Sequence, residues 1–238
     1  MIEIKNISVE FSDKTVALRN IDITIQDGEC AGIIGANGAG KSTLLSSIMG
    51  LVPVKEGEIR ADGILLSKRN LPEIRKKVGM VFQNPDDQLF MPTVYEDLMF
   101  GPKNYGADME KAEKYADILL ENLGISNLKN KLTHKLSWGE KRKAAIACVM
   151  MLEPSVMLLD EPTSFLDPKS RTNLMNLLCG LQSTKVITTH DLDMALEICD
   201  RVIILKDGKK AADGNPQKLL CDKELLESCN LELPLKFR

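Results

Sequence analysis

The chain opens on short runs in which apolar and polar positions alternate. Ile2, Ile4, Ile7 and Val9 form one set, and Ile21, Ile23 and Ile25 form another. A period of two places alternate side chains on one face of a strand, so residues 1–34 read as antiparallel strands, with Asp27-Gly28 as a turn. Residues 57–65 and 78–82 continue the strand character. From about 93 to 151 the spacing becomes helical. Thr93 and Glu96 make a capping box ahead of Leu98-Met99-Phe100, and Met109 to Leu123 keeps a helical spacing that stops at Gly124. Val156-Met157-Leu158-Leu159 and Val186-Ile187 are continuous apolar runs, as parallel strands buried on both faces require. A helix over about 169–181 lies between them. Arg201–Leu205 reads as a further strand, turned back at Asp207-Gly208 onto Lys209–Ala212. This order predicts one α/β unit over residues 1–238 with a helical insertion at about 90–152.

Composition narrows the reading. The 238 residues are 44% hydrophobic and 27% charged, normal for a globular chain. A formal net charge of −3 gives no global field for nucleic acid. The six cysteines form no C-x-x-C pair and there are only two histidines, so a cysteine/histidine metal site is not expected. Buried, reduced thiols and a reducing compartment are. Met1-Ile2-Glu3-Ile4-Lys5 does not look like a signal peptide, and no apolar run approaches the roughly 18–20 residues that span a bilayer. If such a chain serves a membrane process, it does so by docking on another protein.

The chemistry concentrates at Gly35-Ala36-Asn37-Gly38-Ala39-Gly40-Lys41-Ser42, which fits G-x-x-x-x-G-K-[ST]. The apolar Cys30–Ile34 run precedes it and a helix-like stretch from Thr43 follows, the strand–loop–helix setting that a phosphate-binding loop needs. Glycines let several N–H groups converge on a phosphate, and the helix beginning after Gly40 adds the positive end of its dipole. Lys41 reaches the β and γ phosphates of a nucleotide, and the Ser42 hydroxyl ligates Mg²⁺.

A second constellation follows about 120 residues later. Four apolar residues, 156–159, deliver Asp160 to the loop, where a carboxylate holds the Mg²⁺ shell. Glu161, one residue on, is placed to take a proton from an attacking water. Ser137-x-x-Glu140 is a capping box, and a capped helix start beside Gly139 suits an anion. His190, at the carboxyl end of the 186–187 strand, is placed to bond a γ-phosphate or order the water.

Together these residues resemble the ATP-binding-cassette (ABC) ATPases over almost the whole chain. The resemblance implies a P-loop NTPase core with an N-terminal antiparallel β-subdomain and an inserted α-helical subdomain. It makes Gly35–Thr43 the Walker A loop, with Gly35, Asn37, Gly38, Ala39, Gly40, Lys41, Ser42 and Thr43 on ATP. It makes Val156–Glu161 Walker B, Leu136–Glu140 the signature, Ser164–Asp167 the D-loop and His190 the switch histidine. Gln83 becomes the Q-loop glutamine, touching Mg²⁺ or the water. Phe11 takes the place of an aromatic that stacks on adenine, and Asp167 joins the ATP site. Two cassettes, identical or different, are then expected to face head to tail, so that Ser137 and Gly139 act on the partner's ATP. The stretch 81–90, with Thr93–Leu98 and Phe100-Gly101-Pro102, is similar to the energy-coupling-factor (ECF) importers of vitamins or of cobalt and nickel. That implies a transmembrane coupling protein, a membrane substrate-binding subunit, and a place on the cytoplasmic face of the membrane. The tail beyond Pro216 is short for the vitamin group and leans toward the metal-ion branch or a compact vitamin-type cassette. A soluble ABC protein of assembly or repair, or the ATPase of another ABC transporter type, is the alternative.

Three features depart from that pattern or stand outside it. Trp138 occupies a signature position that is usually glycine, and is expected to alter closure or rate at the site that uses this signature. Lys141-Arg142-Lys143 reads as a solvated basic face. His134 and the Asp86-Asp87 pair read as ordinary solvated loop residues.

Overall fold

The computed structural model describes residues 1–237. Its strands divide between two sheets. Ile2–Glu10 (β1), Val16–Ile25 (β2), Glu56–Ala61 (β4) and Ile64–Leu65 (β5) form an antiparallel sheet in the order β2-β1-β4-β5. Ile2 and Ile4, then Ile7 and Val9, are buried along β1, and Ile21, Ile23 and Ile25 along β2, a period of two that a register shift interrupts between Ile4 and Ile7.

The second sheet is the core. It holds Cys30–Ile34 (β3), Val78–Val81 (β6), Val156–Asp160 (β7), Thr184–Thr189 (β8), Arg201–Lys206 (β9) and Lys209–Gly214 (β10), in the order β10-β9-β3-β8-β7-β6. All its pairings are parallel except the β9–β10 hairpin. Here the structure corrects the sequence reading. Cys30–Ile34 belongs to this parallel sheet, not to the antiparallel one, and Asp27-Gly28 carries the chain from one sheet to the other. The signal was in β3 itself: all five residues are buried, a two-faced burial that only a central strand has.

Helices cover both faces and one edge. Lys41–Ile48 (α1) lies between the two sheets and contributes Leu44, Leu45 and Ile48 to their shared core. Leu71–Lys77 (α2) leads into β6. Pro168–Gly180 (α6) and Leu192–Ile198 (α7) cover the opposite face, joined there by Pro216–Leu219 (α8) and Lys223–Ser228 (α9). Val94–Asn104 (α3), Met109–Asn122 (α4) and Trp138–Met150 (α5) surround a third core of their own, which includes Leu98, Ala116, Leu120 and Ala144. The capping boxes at Thr93/Glu96 and Ser137/Glu140 both form as read. All six cysteines are free. Cys30, Cys199 and Cys229 are buried but Cys179 and Cys221 are exposed, so the expectation of buried thiols holds for only part of the set. Among the described residues no helix is long and apolar enough to cross a membrane.

Candidate nucleotide site

Strand register builds the site. Ile34, the last residue of β3, pairs with Thr189 of β8, and Asp160, the last of β7, pairs with Thr188. Three adjacent parallel strands therefore end level, and the residues that follow them, Gly35, His190 and Glu161, meet at one edge. This is the carboxyl edge, where open α/β sheets bind ligands.

The loop after β3 is held by close packing. A Cβ on Gly35 would lie 2.6 Å from the Leu205 carbonyl oxygen and 2.8 Å from Ala39 Cβ. Gly40, the residue before α1, has φ +103°, and a Cβ there would lie 2.7 Å from Leu18 and 2.8 Å from the Ala17 carbonyl. Only glycine meets both demands. The N–H groups of Lys41, Ser42 and Thr43 then begin a helix and have no intrahelical acceptor, which makes them donors for an anion. Lys41 is buried, and its Nζ donates to the Gly35 and Ala36 carbonyls at 2.7 and 3.2 Å.

The two acids at the end of β7, Asp160 and Glu161, are each buried and tied to this loop. Ser42 Oγ donates to Asp160 Oδ1 at 3.1 Å. Lys41 Nζ lies 3.8 Å from Glu161 Oε1, and His190 Nδ1 lies 2.8 Å from Glu161 Oε2. Glu161 has φ +45°, a left-handed backbone that is uncommon outside glycine and costly to hold. Thr188 holds both acids in place. Its hydroxyl donates to Asp160 Oδ1 at 2.5 Å, and its hydroxyl and carbonyl oxygens both lie 3.1 Å from the Glu161 N–H. Sequence reading did not find Thr188, because a buried threonine on an apolar strand carries no motif.

Arg142 is the second residue that sequence reading missed, and it overturns the solvated basic face. Its side chain is among the largest fully buried in the chain, and it donates to the Phe82 and Gln83 carbonyls at 2.6 and 2.5 Å. Burial pulls its guanidinium down to about 10, against which the Asp160 and Glu161 charges act. Lys141 pairs with Asp86 at 2.5 Å, and Lys143 donates to the Leu123 carbonyl, so this run joins α5 to its neighbours. Asp86 is thus an ion-pair partner as well as an exposed loop residue.

The remaining predicted residues lie apart. Gln83 is exposed in the loop after β6, its carbonyl held by Arg142. Phe11 is 40% exposed just beyond β1, where its N–H donates to the Thr15 carbonyl. Ser137 and Gly139 sit at the start of α5 and Asp167 caps α6 through the Lys169 and Ser170 N–H groups. No hydrogen bond or ion pair among the described residues joins these three to residues 35–43.

The family model for ABC transporters matches residues 18–164, which runs from β2 through the loop and past the acids at the end of β7. The chain belongs to the ABC transporter family. It is an ATP-binding cassette that hydrolyses ATP to drive transport, and its mixed α/β fold is that of the family. A Geobacter sulfurreducens relative, named as an ABC transporter ATP-binding protein, is 45% identical over 100% of this chain and 96% of its own length. The ECF transporter ATP-binding protein EcfA of Methanothermobacter thermautotrophicus is 41% identical over 98% of this cassette and 77% of its own. Among solved structures, cbiO1 from Clostridium perfringens, part of the ABC transporter complex cbiONQ, superposes with a TM-score of 0.85 at 38% identity, covering 96% of this cassette and 94% of the other. A dimeric cassette in a post-hydrolysis state, bound to ADP and Pi, gives 0.81 at 31% identity, covering 91% and 99%.

Proposed function

We propose that this cassette is one of two that power an ECF-type importer of transition-metal ions such as cobalt and nickel, or of vitamins, from the cytoplasmic face of the membrane. The observation that carries the chemistry is the Glu161 carboxylate, 2.8 Å from His190 Nδ1 and 3.8 Å from Lys41 Nζ. Glu161 takes the proton from the water that attacks the γ-phosphate. His190 and Gln83 place that water, while Lys41 and the N–H groups from Gly38 to Thr43, with Gly35, Asn37 and Ala39 shaping the loop, hold the phosphates. Phe11 stacks on adenine. Ser42 and Asp160 present two oxygen donors at the mouth of the loop, a set that fits a small hard cation. Mg²⁺ held there with Gln83 would neutralise phosphate charge. Ser137, Gly139 and Asp167, which make no hydrogen bond or ion pair with this chain's own loop, act on the nucleotide of the second cassette.

The importer reading rests on the ECF relatives and on a groove whose lining includes Gln88, Phe90, Asp97 and Phe100. Phe90 and Phe100 are 63% and 43% exposed there and stack edge to face at 4.7 Å. Asp97, next to them, accepts from the Phe90 and Met91 N–H groups through Oδ1, while its Oδ2 is buried without a partner. An apolar rim around an unmet carboxylate oxygen fits a cytoplasmic segment of the transmembrane coupling protein. The boundaries proposed for the cassette are residues 1–238, with the helical insertion at about 90–152.

The test is purification of the tagged chain from detergent-solubilised native membranes, with Glu161→Gln alongside. The reading expects a polytopic coupling protein, a small membrane binding subunit and a cassette partner. It also expects Glu161→Gln to bind ATP, pair and barely turn over. Recovery only with soluble assembly or repair proteins, or normal turnover by Glu161→Gln, would reject it.

A further inference from the structure

Trp138 and Phe165 come from different parts of the fold. Trp138 is the first residue of α5, immediately after Ser137, and Phe165 lies in the turn between β7 and α6. Their rings meet edge to face, with centroids 5.6 Å apart and planes at 78°. Phe165 is 79% exposed and holds φ +62°. An exposed aromatic in a left-handed backbone persists only where a neighbour holds it. Among the described residues Trp138 is its one aromatic partner. The contact has a counterweight, because the Trp138 indole N–H is buried there with no acceptor.

The turn leads to the candidate base. The Ser164 N–H donates to the Glu161 carbonyl at 3.2 Å, and Ser164 Oγ donates at 3.4 Å to Glu161 Oε2, the oxygen that faces His190. A continuous series of contacts therefore runs from the start of α5 through Trp138, Phe165 and Ser164 to the Glu161 carboxylate.

We propose that Trp138 and Phe165 are positioning residues for hydrolysis. Their ring contact ties the start of α5 to the turn bearing Ser164, and so sets where the Glu161 carboxylate points. The proposal rests on the reading of Glu161 as the base. Under that reading, a nucleotide bound across the second cassette at Ser137 and Gly139 shifts Trp138, and the shift reaches this chain's own base. The aromatic that departs from the signature is then a link between two sites rather than bulk beside a phosphate.

Trp138 is the only tryptophan in the chain, so the indole emission comes from this position alone. Fluorescence is recorded on the full chain by itself, and steady-state ATPase on the complex it forms in native membranes. Phe165→Leu is expected to red-shift the indole emission and lower kcat roughly two- to tenfold, the factor one aromatic pair supplies, with KM for ATP unchanged. Phe165→Gly, which accepts the left-handed backbone but lacks the ring, should match it, and Phe165→Tyr should restore both signals. Wild-type turnover in Phe165→Leu and Phe165→Gly, a loss confined to KM, or failure of Phe165→Tyr to restore kcat would overturn the proposal. Glu161→Gln separates the two levels. If it is inactive while the Phe165 variants are unaffected, the link fails and the base stands. If it turns over normally, the base assignment itself fails.

Discussion

Arg142 Nη2 lies 2.5 Å from the carbonyl oxygen of Gln83. The same guanidinium holds the Phe82 carbonyl, so a charge that looked solvated is the fixed point between α5 and the loop carrying Gln83. Replacing it with Met keeps much of the volume but leaves two backbone acceptors unmet, each costing about 1–3 kcal/mol. Arg142→Met is expected to lower the urea midpoint and the ATPase rate together. Unchanged values of both would show that water satisfies these carbonyls equally well.

Thr188 holds both acids, through Asp160 Oδ1 and the Glu161 N–H. A hydrogen bond to a charged group contributes about 1.5–3 kcal/mol, so Thr188→Val should reduce kcat by roughly ten- to a hundredfold. Thr188→Ser, which keeps the hydroxyl, should recover most of the rate. The check is a steady-state ATPase assay on all three forms.

Gly35 is constrained by contact, since the nearest atom to an added Cβ is the Leu205 backbone oxygen at 2.6 Å. Backbone cannot swing aside as a side-chain tip can, so Gly35→Ala is expected to displace the loop and destabilise the fold by about 1–3 kcal/mol. Nucleotide affinity should fall with it, which calorimetric titration with a non-hydrolysable ATP analogue would measure.

Burial raises the Asp97 carboxyl above its ordinary value of 3.8, against the lowering effect of the Met91 and Phe90 N–H groups. A raised carboxyl binds its proton more tightly in the folded chain than in the unfolded one. Its contribution is therefore most favourable at low pH and is lost as pH rises from about 3.8 through the folded value. Asp97→Asn keeps the acceptor oxygen and abolishes the titration. Melting temperatures recorded between about pH 4 and 7 should converge for the two proteins at the acid end, with the variant gaining relative to wild type as pH rises. Parallel curves would show that Asp97 does not titrate in this window.

Local chemistry was legible where it depends on neighbours in sequence. The loop at 35–42, both capping boxes, the Asp207-Gly208 hairpin and the acids at the end of β7 all depend on residues within a few positions of one another. A glycine's φ, a cap's reach and a strand's apolar run are short-range matters, and the sequence by itself determined them for this protein. It also determined which family the chain belongs to, because the motifs stand in order along it.

Tertiary structure decided what depends on strand register and on long-range burial. The alternation in residues 1–34 could not show that β3 leaves the antiparallel sheet for the centre of the parallel one. Nor could a run of three basic residues show that the middle one is buried against a loop 60 residues away. Thr188, Arg142 and the Trp138–Phe165 contact carry no local mark, because a hydroxyl, a guanidinium or a ring acquires its partner only when distant strands and helices close on it. The meeting of Gly35, His190 and Glu161 is likewise a consequence of three parallel strands ending level, and only the folded sheet sets that register.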